Sequence, residues 1–193
     1  GRPRIADFGL MAPLFAHLAR DPVPATLMKK RAPNVYRWTE RMNLVGSFAP
    51  EFPDTPDEYA PDDEIPATLE PMLRHIFLDW GPELLASAAH YNEWVRANPD
   101  LPAGSPPSLT PARRLVHPML GTVSYPYRGV AMTRHCAPQA LWHFDKSAQL
   151  ARCFEGAALT RWREVLERPG GTEVMAIQLA RPMKRHDYLL VLG

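Results

Sequence analysis

The sequence predicts a mainly helical fold, and three observations support this prediction. Apolar residues recur three and four positions apart over residues 69–95, which is the spacing of one helix face. Strand-like alternation is confined to residues 122–131, and a short apolar run at residues 188–192 could pair with it as a hairpin. The 193-residue chain is 46% hydrophobic, which is ordinary for a protein that buries a core.

The first helix is expected to run over residues 5–19. Its apolar residues fall on two sides, which predicts a central and buried helix. Pro13 stands inside this helix and presses on the carbonyl group of Gly9, so the two residues predict a bend. A short helical turn is expected at residues 27–31, and Pro33 is well placed to begin the next helix.

Residues 44–66 differ sharply in composition from their surroundings. They contain five prolines and seven acidic residues but no lysine or arginine. Three aromatic residues, Phe48, Phe52 and Tyr59, favour an extended segment that lies over the surface instead of a purely solvated linker. We expect this segment to cover a basic helical face that consists of Lys29, Lys30, Arg31, Arg37 and Arg41.

The predicted organisation has three parts: a helical domain at residues 1–43, the acidic connecting segment at 44–66, and a helical extension at 67–193 packed on the domain. Within the extension, the helix over residues 69–95 is expected to pass through a kink at Gly81-Pro82. Pro126 restricts the strand at 122–131 to an edge or broken strand. One long helix over about residues 141–165 and a short one at 172–180 are expected to follow.

Composition excludes several classes of function. The chain has 22 Lys and Arg against 21 Asp and Glu, so it lacks the basic excess that nucleic acids or anionic membrane surfaces require. No apolar run approaches the length of a membrane span. The two cysteines, Cys136 and Cys153, form no disulfide scaffold, which favours a reducing, cytoplasmic location.

Motifs for catalysis or metal binding are also missing from the sequence. The ligand-rich residues are His135, Cys136, His143 and Cys153, and they lack the close, repeated pairing that is typical of zinc sites. The sequence contains no Gly-x-Ser-x-Gly motif, and Gly170-Gly171 follows a predicted helix, unlike a phosphate-binding loop. We therefore predict no catalytic, cofactor-binding or metal-binding residue within this chain.

Two stretches of the first 43 residues resemble the cytosolic glutathione transferases. Residues 2–8, Arg-Pro-Arg-Ile-Ala-Asp-Phe, are similar to the start of the sixth helix of that family, and residues 32–42 are similar to the next helix. The family helix opens with Ser or Thr, followed three positions later by Asp. Asp7 matches the Asp and can accept from the backbone N–H of the N-cap residue and interact favourably with the positive end of the helix dipole, whereas Arg4 stands at the Ser or Thr position.

The resemblance implies a C-terminal helical domain of a glutathione transferase, preceded in the intact protein by a thioredoxin-like domain. It implies that the intact protein uses glutathione as co-substrate to conjugate or convert a small apolar electrophile, and it allows a homodimer. The residues that activate the thiol belong to the thioredoxin-like domain, so this chain alone is expected to be inactive. The alternative is a non-catalytic helical interaction module that has the same scaffold.

Two aromatic residues are candidates for an acceptor pocket. Trp80 lies at the predicted Gly81-Pro82 kink, and Tyr91 lies further along the same apolar stripe. The other interpretation is that they belong to the core, because aromatic residues at helical spacing mainly supply buried area. We keep both residues as speculative substrate-binding positions.

Overall fold

The computed structural model describes residues 3, 5–44, 54, 58, 61, 64–111 and 116–193. The chain divides into two compact units, Gly1–Glu64 and Ile65–Gly193. The described residues are mainly helical, with two small antiparallel strand pairs. No helix that they form is both long and apolar enough to cross a lipid bilayer.

Three helices form the described part of the first unit: α1 (Ile5–Pro13), α2 (Pro22–Arg31) and α3 (Pro33–Asn43). Prolines occupy the first position of α2 and of α3. A proline is well tolerated there because the first N–H groups of a helix have no partner within the helix. Helix α2 is longer than the predicted short turn, whereas α3 begins at Pro33 as predicted.

The prediction that the first helix is central and buried is wrong. No side chain of α1 is buried, and Ile5 and Phe8 are 92% and 57% exposed. A helix with apolar residues on two sides needs neighbours on both sides. Helix α1 contacts α3, but three short helices offer too little surface to cover both apolar stripes.

Two of the described helical stretches combine an internal proline with a π-helical turn. Helix α1 continues after Pro13 as a π-helical turn at Leu14–Leu18, where the N–H of Ala19 donates to the Leu14 carbonyl at 2.7 Å. A second π-helical turn, Ile76–Trp80, precedes Pro82, which lacks an N–H to donate to Leu78 and presses on that residue's carbonyl. The helix therefore continues through Gly81-Pro82, as predicted, with a wider turn before the proline.

The second unit begins with a nearly continuous helical stretch that ends at Ala97. A 3₁₀ turn (Ala67–Leu69) leads into α4 (Glu70–His75), the π-helical turn and α5 (Gly81–Ala97). Three further helices follow later in the chain: α6 (Pro138–Ala151), α7 (Gly156–Glu167) and α8 (Thr172–Met175).

The single long helix that was expected over residues 141–165 is wrong, because the chain breaks between α6 and α7. Gly156, the first residue of α7, has a φ of +53°, which is left-handed backbone that glycine adopts readily. The break lets the Phe154 ring pack edge to face on Trp162, with the ring centroids 5.7 Å apart. Helix α8 ends at Met175, which is earlier than predicted.

The strands among the described residues form two separate hairpins: β1 (Thr122–Tyr127) pairs with β2 (Val130–His135), and β3 (Met183–His186) pairs with β4 (Leu189–Leu192). The expected pairing between residues 122–131 and 188–192 is therefore wrong. Each hairpin closes through a two-residue turn with positive φ at both central residues, 49° and 82° at Arg128 and Gly129. This turn matches the twist of the flanking strands, so each strand pairs with its sequence neighbour.

Pro126 occupies a tolerated position within β1. In a hairpin with a two-residue turn, the pair next to the turn exchanges hydrogen bonds, and bonded and non-bonded pairs alternate from there. Pro126 pairs with Ala131, one step beyond the pair next to the turn, so it falls at a non-bonded pair. Its missing N–H would point to the outer edge of the hairpin, which agrees with the predicted edge strand.

The core of the second unit lies where α5, α6, α8 and both hairpins meet. Its buried side chains include Leu84, Tyr91, Val123, Leu141, Phe144, Val174, Leu190 and Leu192. The hydroxyl of Tyr91 donates to the Arg181 carbonyl at 2.8 Å. The Arg181 guanidinium donates to the carbonyls of Leu101, at 2.6 Å, and Gly193. Through these bonds α5 holds the segment that leads into the second hairpin.

Most of the predicted connecting segment, including Phe48, Phe52 and Tyr59, lies outside the described residues. So do Arg113 and Arg114 in the later loop. The division between the two units falls between Glu64 and Ile65.

Gly171→Ala should destabilise the second unit, because the new Cβ would lie 2.6 Å from the Phe77 Cε2 atom and within 3 Å of two more ring atoms. Phe77 is packed against the core, so the ring has to move or the backbone has to shift, at a cost of about 1–3 kcal/mol. Gly9→Ala is the matched control: its Cβ meets nothing within 4 Å, and alanine favours a helix interior. Denaturant unfolding followed by the tryptophan signal measures both, and equal midpoints would contradict the close contact.

Candidate functional site

A stripe of polar side chains runs along the helical stretch that ends in α5. His75, Asp79, Glu83 and Ser87 are four residues apart, so they share one face of the helix. This face meets the β1–β2 hairpin, which places Arg128, Arg134, Tyr125 and Cys136 opposite the stripe. We call the four stripe residues and these four partners the helix–hairpin cluster.

Asp79 and Arg128 form the outer end of the helix–hairpin cluster. The guanidinium donates to both carboxylate oxygens, with Nε to Oδ1 at 3.0 Å and Nη2 to Oδ2 at 2.6 Å. His75 Nδ1 lies 3.4 Å from Asp79 Oδ2. The hydrogen bond from Arg128 lowers the pKa of Asp79 below its usual value, with smaller contributions from the charges of Arg128 and His75. Asp79 therefore stays ionised over the physiological pH range.

Glu83 joins two residues of the hairpin. Its Oε2 atom accepts from the Tyr125 hydroxyl and from Arg134 Nη1, each at 3.0 Å. Burial and the hydrogen bond to Glu83 raise the pKa of the Tyr125 hydroxyl. A phenol that stays protonated and bonded in this way positions the hairpin and is a poor general base.

The inner end of the helix–hairpin cluster is apolar and contains a buried thiol. Cys136 is fully buried, and its Sγ donates to the Ser87 carbonyl at 3.8 Å. Burial raises the pKa of this thiol to about 11, so it is protonated at neutral pH. A ring N–H of His90 donates to the Leu120 carbonyl at 2.6 Å and ties the helix to the residues just before β1.

The polar groups of the helix–hairpin cluster bind one another, so few of them remain free to act on a substrate. A nucleophilic site pairs its nucleophile with a base and a charge-stabilising donor around an open position. In the helix–hairpin cluster, Asp79 and Glu83 are already paired with arginines, and the thiol of Cys136 is buried and protonated. The arrangement fixes the hairpin on the helix, which is a positioning role.

The structure places Tyr91 in the core. It is fully buried, its ring lies 6.2 Å from that of Trp94, and burial raises the pKa of its hydroxyl, which is bonded to the Arg181 carbonyl. Trp80, the last residue of the second π-helical turn, is 39% exposed and packs edge to face on Phe144 at 6.4 Å. The two candidate pocket residues thus have different environments, and only Trp80 presents a surface that a ligand could reach directly.

Asp7 stands at the third position of α1, where the predicted cap requires it. Arg4, the proposed N-cap residue, lies outside the described residues. The capping role of Asp7 therefore stays a prediction.

A surface groove of about 410 Å³ lies between residues 102–111 and the second hairpin. Its walls include Pro102, Pro106, His186 and Leu189, and it contains neither Trp80 nor Tyr91. The Gly104 N–H donates to the Leu192 carbonyl at 2.9 Å, and the Leu192 N–H donates to the Ser105 carbonyl at 2.8 Å. The groove therefore forms where this loop lies along β4, and its lining is mainly apolar, with Ser105 and His186 as its side chains that can hydrogen-bond.

Metal binding has no support among the described residues. They contain no group of three or more His, Cys, Asp or Glu side chains that could hold a metal ion. Cys153, the second cysteine, is exposed and donates to the Gln149 carbonyl at 3.4 Å.

Sequence reasoning did not identify the helix–hairpin cluster. The four-residue spacing of His75, Asp79, Glu83 and Ser87 in the sequence indicates that they share one polar helix face. Their partners Arg128 and Arg134 could not be assigned, because no hairpin was predicted there: the expected strand ended at residue 131, and its expected partner was residues 188–192. The comparisons with known proteins add nothing here: no protein-family model, curated protein or solved structure matches the chain.

Asp79→Asn should lower the denaturant midpoint slightly near neutral pH and have no effect in acid. The pKa of Asp79 is lowered in the folded protein, so its stabilising contribution is present above the usual carboxyl pKa of about 4 and is lost as pH falls through the lowered value. Glu93→Gln, which removes an exposed acid of α5, is the control. Urea midpoints between pH 7 and acid measure the difference, and a difference that does not depend on pH would contradict the ion pair.

One thiol per folded chain should react quickly with a thiol reagent at pH 8. Cys153 is exposed, whereas Cys136 is buried and, with a pKa of about 11, is thiolate in only about one molecule in a thousand at that pH. Cys153→Ser should abolish the fast reaction, and denaturant should release the second thiol. Two fast thiols in the folded chain would show that the inner end of the cluster is open.

Proposed function

We propose that this chain is the C-terminal helical part of a glutathione-transferase-like protein. The intact protein would use glutathione to conjugate or convert a small apolar electrophile. The observation that carries the proposal is the resemblance of residues 2–8 and 32–42 to two consecutive helices of that family. Its structural support is that Asp7 stands in the first turn of α1 and that α3 begins at Pro33.

The exposed apolar surface of α1 is consistent with this proposal. Ile5, Phe8 and Leu10 are all exposed, although a helix with apolar residues on two sides is expected to be covered. In the family that residues 2–8 resemble, further helices precede the sixth helix, and helices placed in that way would cover both apolar sides of α1.

The proposal assigns activation of the glutathione thiol to one domain and binding of the acceptor to the other. A glutathione thiolate needs a hydrogen-bond donor or positive group that lowers the pKa of its thiol. The arginines of the helix–hairpin cluster are committed to Asp79 and Glu83, so they cannot serve. The thioredoxin-like domain would activate glutathione, and this chain would contribute scaffold and, at Trp80, part of the acceptor surface. The free thiols of Cys136 and Cys153 favour a cytoplasmic location.

A second candidate is a non-catalytic helical interaction module. The specific observation in its favour is the exposed apolar surface of the first unit, which includes Val23 and Leu27 of α2 in addition to α1. Exposed apolar side chains that cluster on one part of a surface are typical of a protein–protein contact. This candidate shares the fold with the first one and differs from it in binding no glutathione.

Calorimetry with glutathione separates the two candidates. The 193-residue chain should show no binding, whereas a longer version that includes the thioredoxin-like domain should bind glutathione. Trp80→Ala in the longer version should weaken binding of an apolar acceptor and leave glutathione binding unchanged, with Trp94→Ala as the matched aromatic control. Binding to the short chain would overturn the proposed division of labour, and no binding to the longer version would favour the interaction module.

A further inference from the structure

The unpaired edges of the two hairpins differ in how well they are protected. The edge strand of a sheet presents free N–H and C=O groups, and proteins normally block such edges with proline, charge or a covering segment. Among the described strands, β1 carries Pro126 at an outward-facing position. Strand β3 carries three consecutive basic or ionisable residues at positions 184–186, and β4 is covered at Leu192 by Gly104 and Ser105.

Strand β2 has neither a proline nor a covering segment among the described residues, and its only arginine or lysine is Arg134. Its pairing with β1 is one-to-one without a bulge, it contains no proline, and all six of its residues are exposed. Because bonded and non-bonded pairs alternate from the turn, the backbone groups of Ala131, Thr133 and His135 face outward. They make no hydrogen bond to the part of the chain that the structure describes.

The side chains of β2 also suit a contact with a further strand. Val130 and Met132 are 60% and 37% exposed, so apolar area is available at this edge. The fixed charge of the strand, Arg134, is already bound to Glu83 of the same chain at 3.0 Å. Within β2 itself, the one arginine is therefore paired and does not present an unpaired charge to a second strand.

We propose that β2 is a dimer interface and that its partner is β2 of a second copy of this chain. Antiparallel pairing centred on Thr133 sets Thr133 opposite Thr133, Ala131 opposite His135, and Met132 opposite Arg134. No like charges then face each other, which satisfies the main electrostatic requirement for self-pairing. The same edge serves both copies, as two-fold symmetry requires, and the two hairpins join into one four-stranded sheet.

The predicted dimer is weak and depends on concentration. Three outward-facing residues in each chain give about six backbone hydrogen bonds across the symmetry axis. The buried area of such a strand pair lies at the low end of specific interfaces, below about 1,200 Å². This inference is independent of glutathione binding, so its outcome does not depend on the proposed function.

Sedimentation equilibrium over a wide concentration range tests the association. The average mass of the 193-residue chain should rise from 21.7 kDa toward twice that value. Thr133→Pro removes an outward-facing N–H at a non-bonded pair, a kind of position where β1 already holds Pro126, and it should abolish the rise. Thr133→Ala removes the hydroxyl but keeps the N–H, so this control should still dimerise.

Amide hydrogen exchange on the unaltered chain provides a second test that needs no variant. The amides of Ala131, Thr133 and His135 should exchange more slowly as the concentration rises. Those of Val130, Met132 and Arg134, which face β1, should be protected to the same degree at every concentration. Exchange at the three outward amides that is independent of concentration would overturn the proposal. A constant mass of 21.7 kDa, or association that persists in a folded Thr133→Pro variant, would overturn it as well.

Discussion

The buried hydroxyl of Tyr91 donates to the Arg181 carbonyl, and the Arg181 side chain donates in turn to the carbonyls of Leu101 and Gly193. This chain of hydrogen bonds joins the middle of α5 to the loop after it and to the last residue of the second hairpin. The Tyr91 hydroxyl is a polar group inside the core, and leaving such a group unpaired would cost about 1–3 kcal/mol. The remaining elements of the second unit pack around this junction.

Two kinds of interaction hold the first hairpin, and they have different consequences. Val123 and Tyr125 bury apolar surface against α5, which supplies most of the stabilisation. The ion pairs of Asp79 and Glu83 with Arg128 and Arg134 are largely exposed on the arginine side, and exposed pairs contribute only about 0–1 kcal/mol each. Their main effect is orientation, because they fix the turn and the register of the hairpin relative to the helix. The pair with Glu83 also neutralises the charge of Arg134, the one arginine of β2.

In both units, helical periodicity predicted the helices better than it predicted their burial. In the second unit, the stripe over residues 69–95 predicted a helix, which the structure confirms; Leu84, Ala88 and Tyr91 on it are buried, whereas Leu69, Met72, Ile76 and Trp80 are exposed. In the first unit, the two apolar sides of α1 predicted burial that the described helices do not provide. Periodicity reports which side chains ought to be covered, whereas burial depends on whether enough neighbouring surface exists. The candidate residues Trp80 and Tyr91 differ for the same reason, since both lie on one predicted stripe and only Tyr91 has neighbours on every side.

The sequence by itself determined the helical character of the chain, the start of α3 at Pro33, the continuation of the helix through Gly81-Pro82 and the edge position of Pro126. These features depend on local periodicity and on the missing N–H of proline, which act within a few residues. Only the tertiary structure decided that each strand pairs within its own hairpin, that the chain breaks between α6 and α7, and that His75, Asp79 and Glu83 meet Arg128 and Arg134. Those outcomes depend on turn geometry at Arg128-Gly129 and on contacts between residues about 50 positions apart, which a local pattern does not encode.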